Sequence, residues 1–170
     1  MWITDNYPYI CGNIDNNMKT FKEIERKFLL KRFPKLDKIN SVYQIQQWYH
    51  HDGYRYRHQV EIPSGDVVIY KTKKTNISKG VNMEEETTLT LDELNAIDLS
   101  NSLSIKKIRT VVKYKGLKFE IDKYEGINIV ILEVELDDLE QKINIPKYIE
   151  KEILYEVTGI KEFSNKSLAD

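Results

Sequence analysis

The sequence holds a single cysteine, Cys11, in 170 residues. One cysteine makes no internal disulfide, and no cysteine–histidine cluster marks a zinc site. Cys11 has no basic neighbour in sequence and reads as an inert thiol. Charge of one sign is also lacking: 26 Lys and Arg against 27 Asp and Glu leave a formal net charge of −1. A protein that coats nucleic acid usually carries a basic excess, so that class is disfavoured. No apolar run nears the ~18 residues of a membrane span, and no basic-then-apolar leader opens the chain. A cytoplasmic protein without membrane contact is expected. Internal repeats, low-complexity runs and linkers are absent, and the length suits one compact domain.

What the chain has in quantity is charge, 31% of its residues against a typical ~25%. With no net excess, these charges have meaning only by position. Residues 1–19 show no periodicity and read as an N-terminal extension, with residues 20–170 as the domain proper. From Thr20 the dominant pattern is period two, which predicts strands near 21–31, 42–50, 53–61, 66–74, 82–90, 105–114, 117–123 and 128–136. Gly53, Pro63-Ser64-Gly65, Gly80, Gly116 and Gly126 punctuate them. Helices are expected from Leu91 to Leu99, with Thr90 as N-cap, and from Pro146 to Thr158, with Gly159 at the end. Short helical pieces are expected near 136–142 and after Asn165.

Residues two apart on a strand share a face. Glu23, Glu25 and Lys27 therefore share one, as do Arg55 and Arg57, Lys71 and Lys73, and Glu84 and Glu86. Lys107 and Arg109, Glu120 and Asp122, and Glu133 and Glu135 follow the same rule. The alternate positions are mostly apolar or aromatic; Arg26 and Glu85 break the pattern and suggest local exposure. A solvated sheet face normally mixes polar residues of both signs. Here like charges stand side by side, which repel unless opposite sets face them across an enclosed space. About eight strands close into a barrel with room for one small ligand. The fold class is thus β-dominated α+β: a closed eight-stranded antiparallel β-barrel with a few flanking helices. Arginine and lysine in such a lumen suit a polyphosphate, and clustered carboxylates suit a hard cation such as Mg²⁺ or Mn²⁺. His50, His51 and His58 read as surface residues, and Trp48 and Tyr49 as packing residues.

In order along the chain, Glu23-Ile24-Glu25-Arg26-Lys27, Tyr54-Arg55-Tyr56-Arg57, Lys107-Ile108-Arg109, Phe119-Glu120-Ile121-Asp122, Leu132-Glu133-Val134-Glu135 and Ser164-Asn165-Lys166-Ser167-Leu168 resemble the motifs of the triphosphate tunnel metalloenzymes, the CYTH superfamily. The resemblance spans roughly residues 20–168. It implies an eight-stranded tunnel that holds a triphosphate with Mg²⁺ or Mn²⁺. Glu23, Glu25, Glu133 and Glu135 would hold metal, with Glu120, Asp122, Glu84 and Glu86 as further metal or orienting carboxylates. Lys27, Arg55, Arg57, Lys71 or Lys73, Lys107 and Arg109 would hold phosphate, and Lys166 joins them as a lumen cation. Asn82 and Met83 stand where related small members often carry a basic residue, with Lys79 in the loop before them.

The expected activity is metal-dependent hydrolysis of a triphosphate, either inorganic tripolyphosphate or a small organic one such as thiamine triphosphate. Glu25 or Glu135 would serve as base, and Lys27 would polarise the attacking water. Adenylate cyclisation, removal of an RNA 5′-triphosphate end and non-catalytic phosphate binding use the same features and remain as alternatives. The expected partner is a small molecule, with the chain a monomer or homodimer.

Overall fold

The computed structural model describes residues 18–170. The expected extension over residues 1–19 lies, but for Met18 and Lys19, outside the described residues. Nine strands form one sheet: β1 (Lys19–Leu30), β2 (Ser41–Tyr49), β3 (Arg55–Ile62), β4 (Val67–Ser78), β5 (Val81–Leu89), β6 (Leu103–Tyr114), β7 (Leu117–Tyr124), β8 (Val130–Glu135) and β9 (Ile153–Glu156). Their order is β5-β4-β3-β2-β6-β7-β8-β1-β9, and β5 also pairs with β1, so eight strands close on themselves. All pairings are antiparallel. Among the described residues, no helix is long and apolar enough to cross a membrane.

β1 makes the closure possible because it serves β5 along one edge and β8 along the other. Its first half, Lys19 to Ile24, pairs with β5. Its second half pairs with β8 on the opposite edge, Glu25 opposite Glu135 and Lys27 opposite Glu133. β5 ends before β1 does, which leaves the backbone of residues 25–30 short of partners on that edge. The turn and the C-terminal segment supply them: Glu25 N donates to Gly80 O at 2.9 Å, Lys27 N donates to Thr158 Oγ1 at 2.9 Å, and Val157 N donates to Lys27 O at 2.8 Å. β9 then pairs with Phe28 to Leu30.

This edge explains the one large departure from the sequence reading. The helix expected over 146–158 is a single turn, α2 (Lys147–Glu150), followed by β9. Glu152, 2% exposed and gripped by Arg32 at 3.0 Å, fixes the turn between them. Unpaired β1 backbone outcompetes the helical continuation of Ile153-Leu154-Tyr155, whose residues have fair strand propensity. Residues 136–142 form no helix. α1 (Leu91–Asn95) is shorter than expected but starts as read, with a reciprocal Thr90–Glu93 capping box. α3 (Asn165–Leu168) is the expected C-terminal piece.

Three apolar clusters hold the barrel. Outside the β1–β7–β8 wall, Phe28, Phe119, Ile121, Leu132 and Val134 pack under Ile149. Outside β2–β3–β4, Tyr56 and Ile69 pack against Leu94 of α1, with Trp48 beside them. The third cluster lies inside. Leu29, Tyr49, Ile105, Tyr124 and Ile131 share faces with the lumen charges, and Val157, Phe163, Leu168 and Ala169 pack onto them from the C-terminal segment. This cluster stoppers one end of the lumen. Partly exposed Tyr43, Tyr70 and Lys118 rim the other.

Gly80 sits at the seam with φ +73°, and a Cβ there would stand 2.7 Å from Glu25 O and 2.9 Å from Thr158 Cγ2. Gly116, at φ +77°, faces open space. Gly80→Ala is expected to destabilise the protein by about 2–4 kcal/mol, against about 1 kcal/mol for Gly116→Ala, where only the left-handed backbone is penalised. Urea unfolding of the two variants checks this; equal losses would show that the seam is not tight.

Arg26 on the outer face clamps Glu156 through two bonds of 2.8 Å. That bond and Thr158 bring the Glu156 carboxyl down to about 2 against some burial penalty. A depressed carboxyl stabilises the fold above its unfolded value and ceases to as pH falls through its folded value. The pair is about a third exposed (29% and 35%), so screening limits it to about 1 kcal/mol. Glu156→Gln is expected to lower stability by that amount at pH 7, with the difference from the parent shrinking as pH falls from about 4.5 to about 2.

Candidate functional site: the charged lumen

The register sets which side chains enter the lumen. β3 brings Arg55 opposite Thr72 and Arg57 opposite Tyr70 of β4, and β4 brings Thr72 opposite Glu86 and Lys74 opposite Glu84 of β5. On the other wall, Arg109 stands opposite Asp122, and Glu120 opposite Glu133. In the cyclic strand order, β3 lies diametrically across from β8 and β2 across from β1. The arginines of β3 thus face the glutamates of β8.

Two networks result, joined at Glu133. In the first, Lys74 bonds Glu23 closely, and its Nζ lies 3.4 Å from Glu25 and 3.3 Å from Glu84. Lys27 Nζ bridges Glu133 at 3.0 Å and Glu25 at 3.4 Å. In the second, Arg109 takes both oxygens of Asp122 at 2.7 Å, reaches Glu133 at 2.7 Å, and bonds Glu120. Lys107 bonds Asp122 and donates to Asn165 Oδ1 at 3.1 Å. Lys118 joins Glu120 at 2.9 Å to Glu135 at 3.1 Å near the rim.

These contacts divide the charges into committed and available groups. Asp122 is fully buried with both oxygens taken, so it orients Arg109 and Lys107. Burial and then Arg109 push the Lys107 amine down to about 8, against the pull of Asp122. Burial opposes the charge on Glu133, yet Lys27, Arg109 and Lys107 hold its carboxyl well below the usual range. Glu25 goes the other way: burial first, then Glu133 and Glu23, raise it over the opposing lysines. Glu135 and Glu86 are raised chiefly by burial.

The β3 arginines are the available cations. Among the described residues Arg55 has only long ion pairs, 3.6 Å to Glu84 and 3.9 Å to Glu86, and its buried Nε has no hydrogen-bond partner. Arg57 makes no ion pair among the described residues, and its buried Nε also lacks a partner. Burial, then Arg55 and Arg109, lower its pKa. A guanidinium held this way among other cations favours an anion as its partner.

The structure brings together Glu23, Glu25, Lys27, Arg55, Arg57, Glu84, Glu86, Lys107, Arg109, Glu120, Asp122, Glu133 and Glu135, as the alternation predicts. It corrects three others. Lys71 and Lys73 leave the barrel on the outside, since Thr72 and its even-numbered neighbours face in. Lys71 Nζ instead stands 4.2 Å over the Tyr54 ring, and Lys73 is exposed. Lys74 fills the lumen position. Lys166 is exposed on α3, and its neighbour Asn165 reaches in, accepting from Lys107 and from Tyr124 OH at 2.7 Å. Lys79 lines a pocket on the outer surface with Arg26 and Glu156. Asn82 takes the empty basic position by donating to Glu23 at 3.2 Å.

Sequence reading missed Lys74, Gln47 and Tyr49. The signal for Lys74 was the phase of its strand, which Tyr70 and Thr72 share with it. β2 carries no charge, so its lumen face (Tyr43, Ile45, Gln47, Tyr49) gave no alternation of charge to follow.

The donor set fits a hard divalent cation by chemistry: every candidate ligand is a carboxylate oxygen. Among the described residues no three side chains converge as a preformed cage. Lysines occupy that space, with Lys74 and Lys27 holding Glu23, Glu25 and Glu133. Burial first, and then the neighbouring carboxylates of Glu133 and Glu23, raise the proton affinity of Glu25, an effect that a bound cation would oppose.

Neither a protein-family model nor a curated protein matches the sequence. Solved structures do. Two structures of the protein NE1496, one described as a hypothetical protein and the other as an inorganic triphosphatase, match with TM-score 0.56 at 25% and 24% identity. Each alignment covers 86% of this chain and 97% of the other. A putative adenylyl cyclase from Hippeastrum, described as having a dominant triphosphatase activity, matches with TM-score 0.46 at 16% identity, over 69% of this chain and 81% of its own. In fold the chain is similar to the NE1496 structures, and the order of its charged strand motifs resembles that of the CYTH superfamily.

Proposed function

We propose that this chain hydrolyses a triphosphate, inorganic tripolyphosphate or a small organic one such as thiamine triphosphate, inside the lumen with Mg²⁺ or Mn²⁺ bound. The observation that carries the proposal is the guanidinium of Arg57, unpaired among the described residues, beside the loosely paired one of Arg55. Fixed donors of this kind bind phosphate oxygens without first breaking a strong ion pair. The description of NE1496 as an inorganic triphosphatase supports the same substrate class.

Arg55 and Arg57 bind the phosphoryl oxygens from the β3 wall, and Lys27 and Lys74 neutralise charge from the opposite and adjoining walls. Glu23, Glu25, Glu133 and Glu135 are the ligands available to a metal, which when bound supplies charge neutralisation at the phosphate oxygens. Arg109 is saturated by Asp122, Glu120 and Glu133, so its role is to hold Glu133 in place. The reaction forms a bond from a water oxygen to the terminal phosphorus and breaks the bond to the bridging oxygen. Diphosphate leaves, and the water's proton passes to a base. Glu25 suits that role, because its carboxyl is raised and Lys27 stands 3.4 Å away to orient the attacking water.

Phosphate release from tripolyphosphate or thiamine triphosphate is expected with Mg²⁺ or Mn²⁺ and to vanish with a chelator. Glu25→Gln is expected to reduce kcat by about 100-fold or more, and Arg57→Ala to reduce kcat/KM by about 100-fold. Lys71→Ala and Lys73→Ala, on the outer wall, are expected to stay within about twofold of the parent. Cyclic AMP and pyrophosphate from ATP, with no phosphate released, would instead identify a cyclase. Absence of any turnover sinks the enzyme reading.

A further inference from the structure

We propose that the Tyr49 hydroxyl, positioned by Gln47, donates a hydrogen bond to the phosphoryl group that lies deepest in the tunnel. The proposal rests on the triphosphate reading above and adds to it a neutral donor at the stoppered end. β2 is the barrel strand with no charged residue at all, yet it forms the wall directly across from Glu25 and Lys27. Tyr49 is its last residue. The ring packs on the apolar stopper of Ile105, Tyr124 and Ile131, while in register the residue stands opposite Arg55. The hydroxyl thus sits at the junction between the apolar end and the cations.

Its hydrogen bonding is half complete. Gln47, fully buried, donates from Nε2 to the Tyr49 oxygen at 3.1 Å. A phenol oxygen that accepts from one side still has its own proton to give. No acceptor for that proton is present among the described residues. Burial raises the phenol pKa over the opposing pull of Arg55, Arg57, Lys27 and Lys74, so the group stays protonated. Four cations around one proton donor leave a single kind of partner for it, an anionic oxygen. The buried Gln47 Oε1 has no partner among the described residues. With Arg57 opposite Gln47 in register, the cationic side favours the oxygen and leaves the nitrogen to Tyr49.

Binding of the bis-methylene analogue of tripolyphosphate, which cannot be hydrolysed, tests the proposal by calorimetry with Mg²⁺. Steady-state kinetics on tripolyphosphate and thermal unfolding accompany it. Tyr49→Phe keeps the ring and is expected to raise Kd about 10- to 100-fold, with little change in melting temperature. Gln47→Met is expected to weaken binding in the parent and to have no effect in the Tyr49→Phe background, because a positioning residue acts only through the group it positions. Tyr155→Phe, on the exposed face of β9, is expected to match the parent. If the parent binds the analogue and Tyr49→Phe binds it equally well, the proposal is overturned and the hydrolase reading stands. Tighter binding by Gln47→Met overturns it too, since the amide would then have been holding the proton. If the parent fails to bind the analogue, the triphosphate reading falls and takes this one with it.

Discussion

Charges lining the inside of a closed barrel are answered by other strands before water can answer them, and this constraint organises the molecule. Six of the eight barrel strands present charges two residues apart of mostly one sign, an arrangement that is repulsive taken alone. Closure places Asp122 between Lys107 and Arg109, and Lys27 between Glu25 and Glu133. Removing one member of such a buried set strands the others, at a cost of several kcal/mol. The barrel and its charges therefore depend on one another. The seam between β1 and the Gly80 turn is where that dependence is tightest, because Glu25 lends its backbone to the seam and its side chain to the lumen.

The compensation is deliberately uneven. Around Arg109 every guanidinium nitrogen has a carboxylate partner, which fixes one wall. Around Arg57 none has a partner among the described residues. A rigid, saturated half supports an unsaturated half, as expected of a site that must hold its shape before the ligand arrives and still have bonds to give it.

Most of this was legible in the sequence because a barrel wall enforces period two, and charge is the easiest property to follow at that period. Thirteen of the lumen residues named from alternation lie where they were expected. Reading failed where that signal was ambiguous or missing. β4 has Lys71, Lys73 and Lys74 within four residues, so a pair on the wrong face outweighed a single lysine on the right one. β2 has no charge, so Gln47 and Tyr49 had nothing to mark them. The stretch 146–158 has an ordinary helical opening, and what turns it into a strand is the unfinished edge of β1, more than a hundred residues away in sequence. Lys166 drew attention by its charge, yet on α3 the neutral Asn165 faces inward.

The apolar stopper carries a consequence for traffic. A tube open at both ends could pass a long chain through; one plugged by Ile105, Ile131, Leu168 and their neighbours works as a sheath. A polymer can insert only a terminus. On the hydrolase proposal, whatever is cut at the bottom would back out past Tyr43 and Tyr70, the rim by which it entered. The fragment seated deepest is the last to leave, so the departure of one product clears the path for the other.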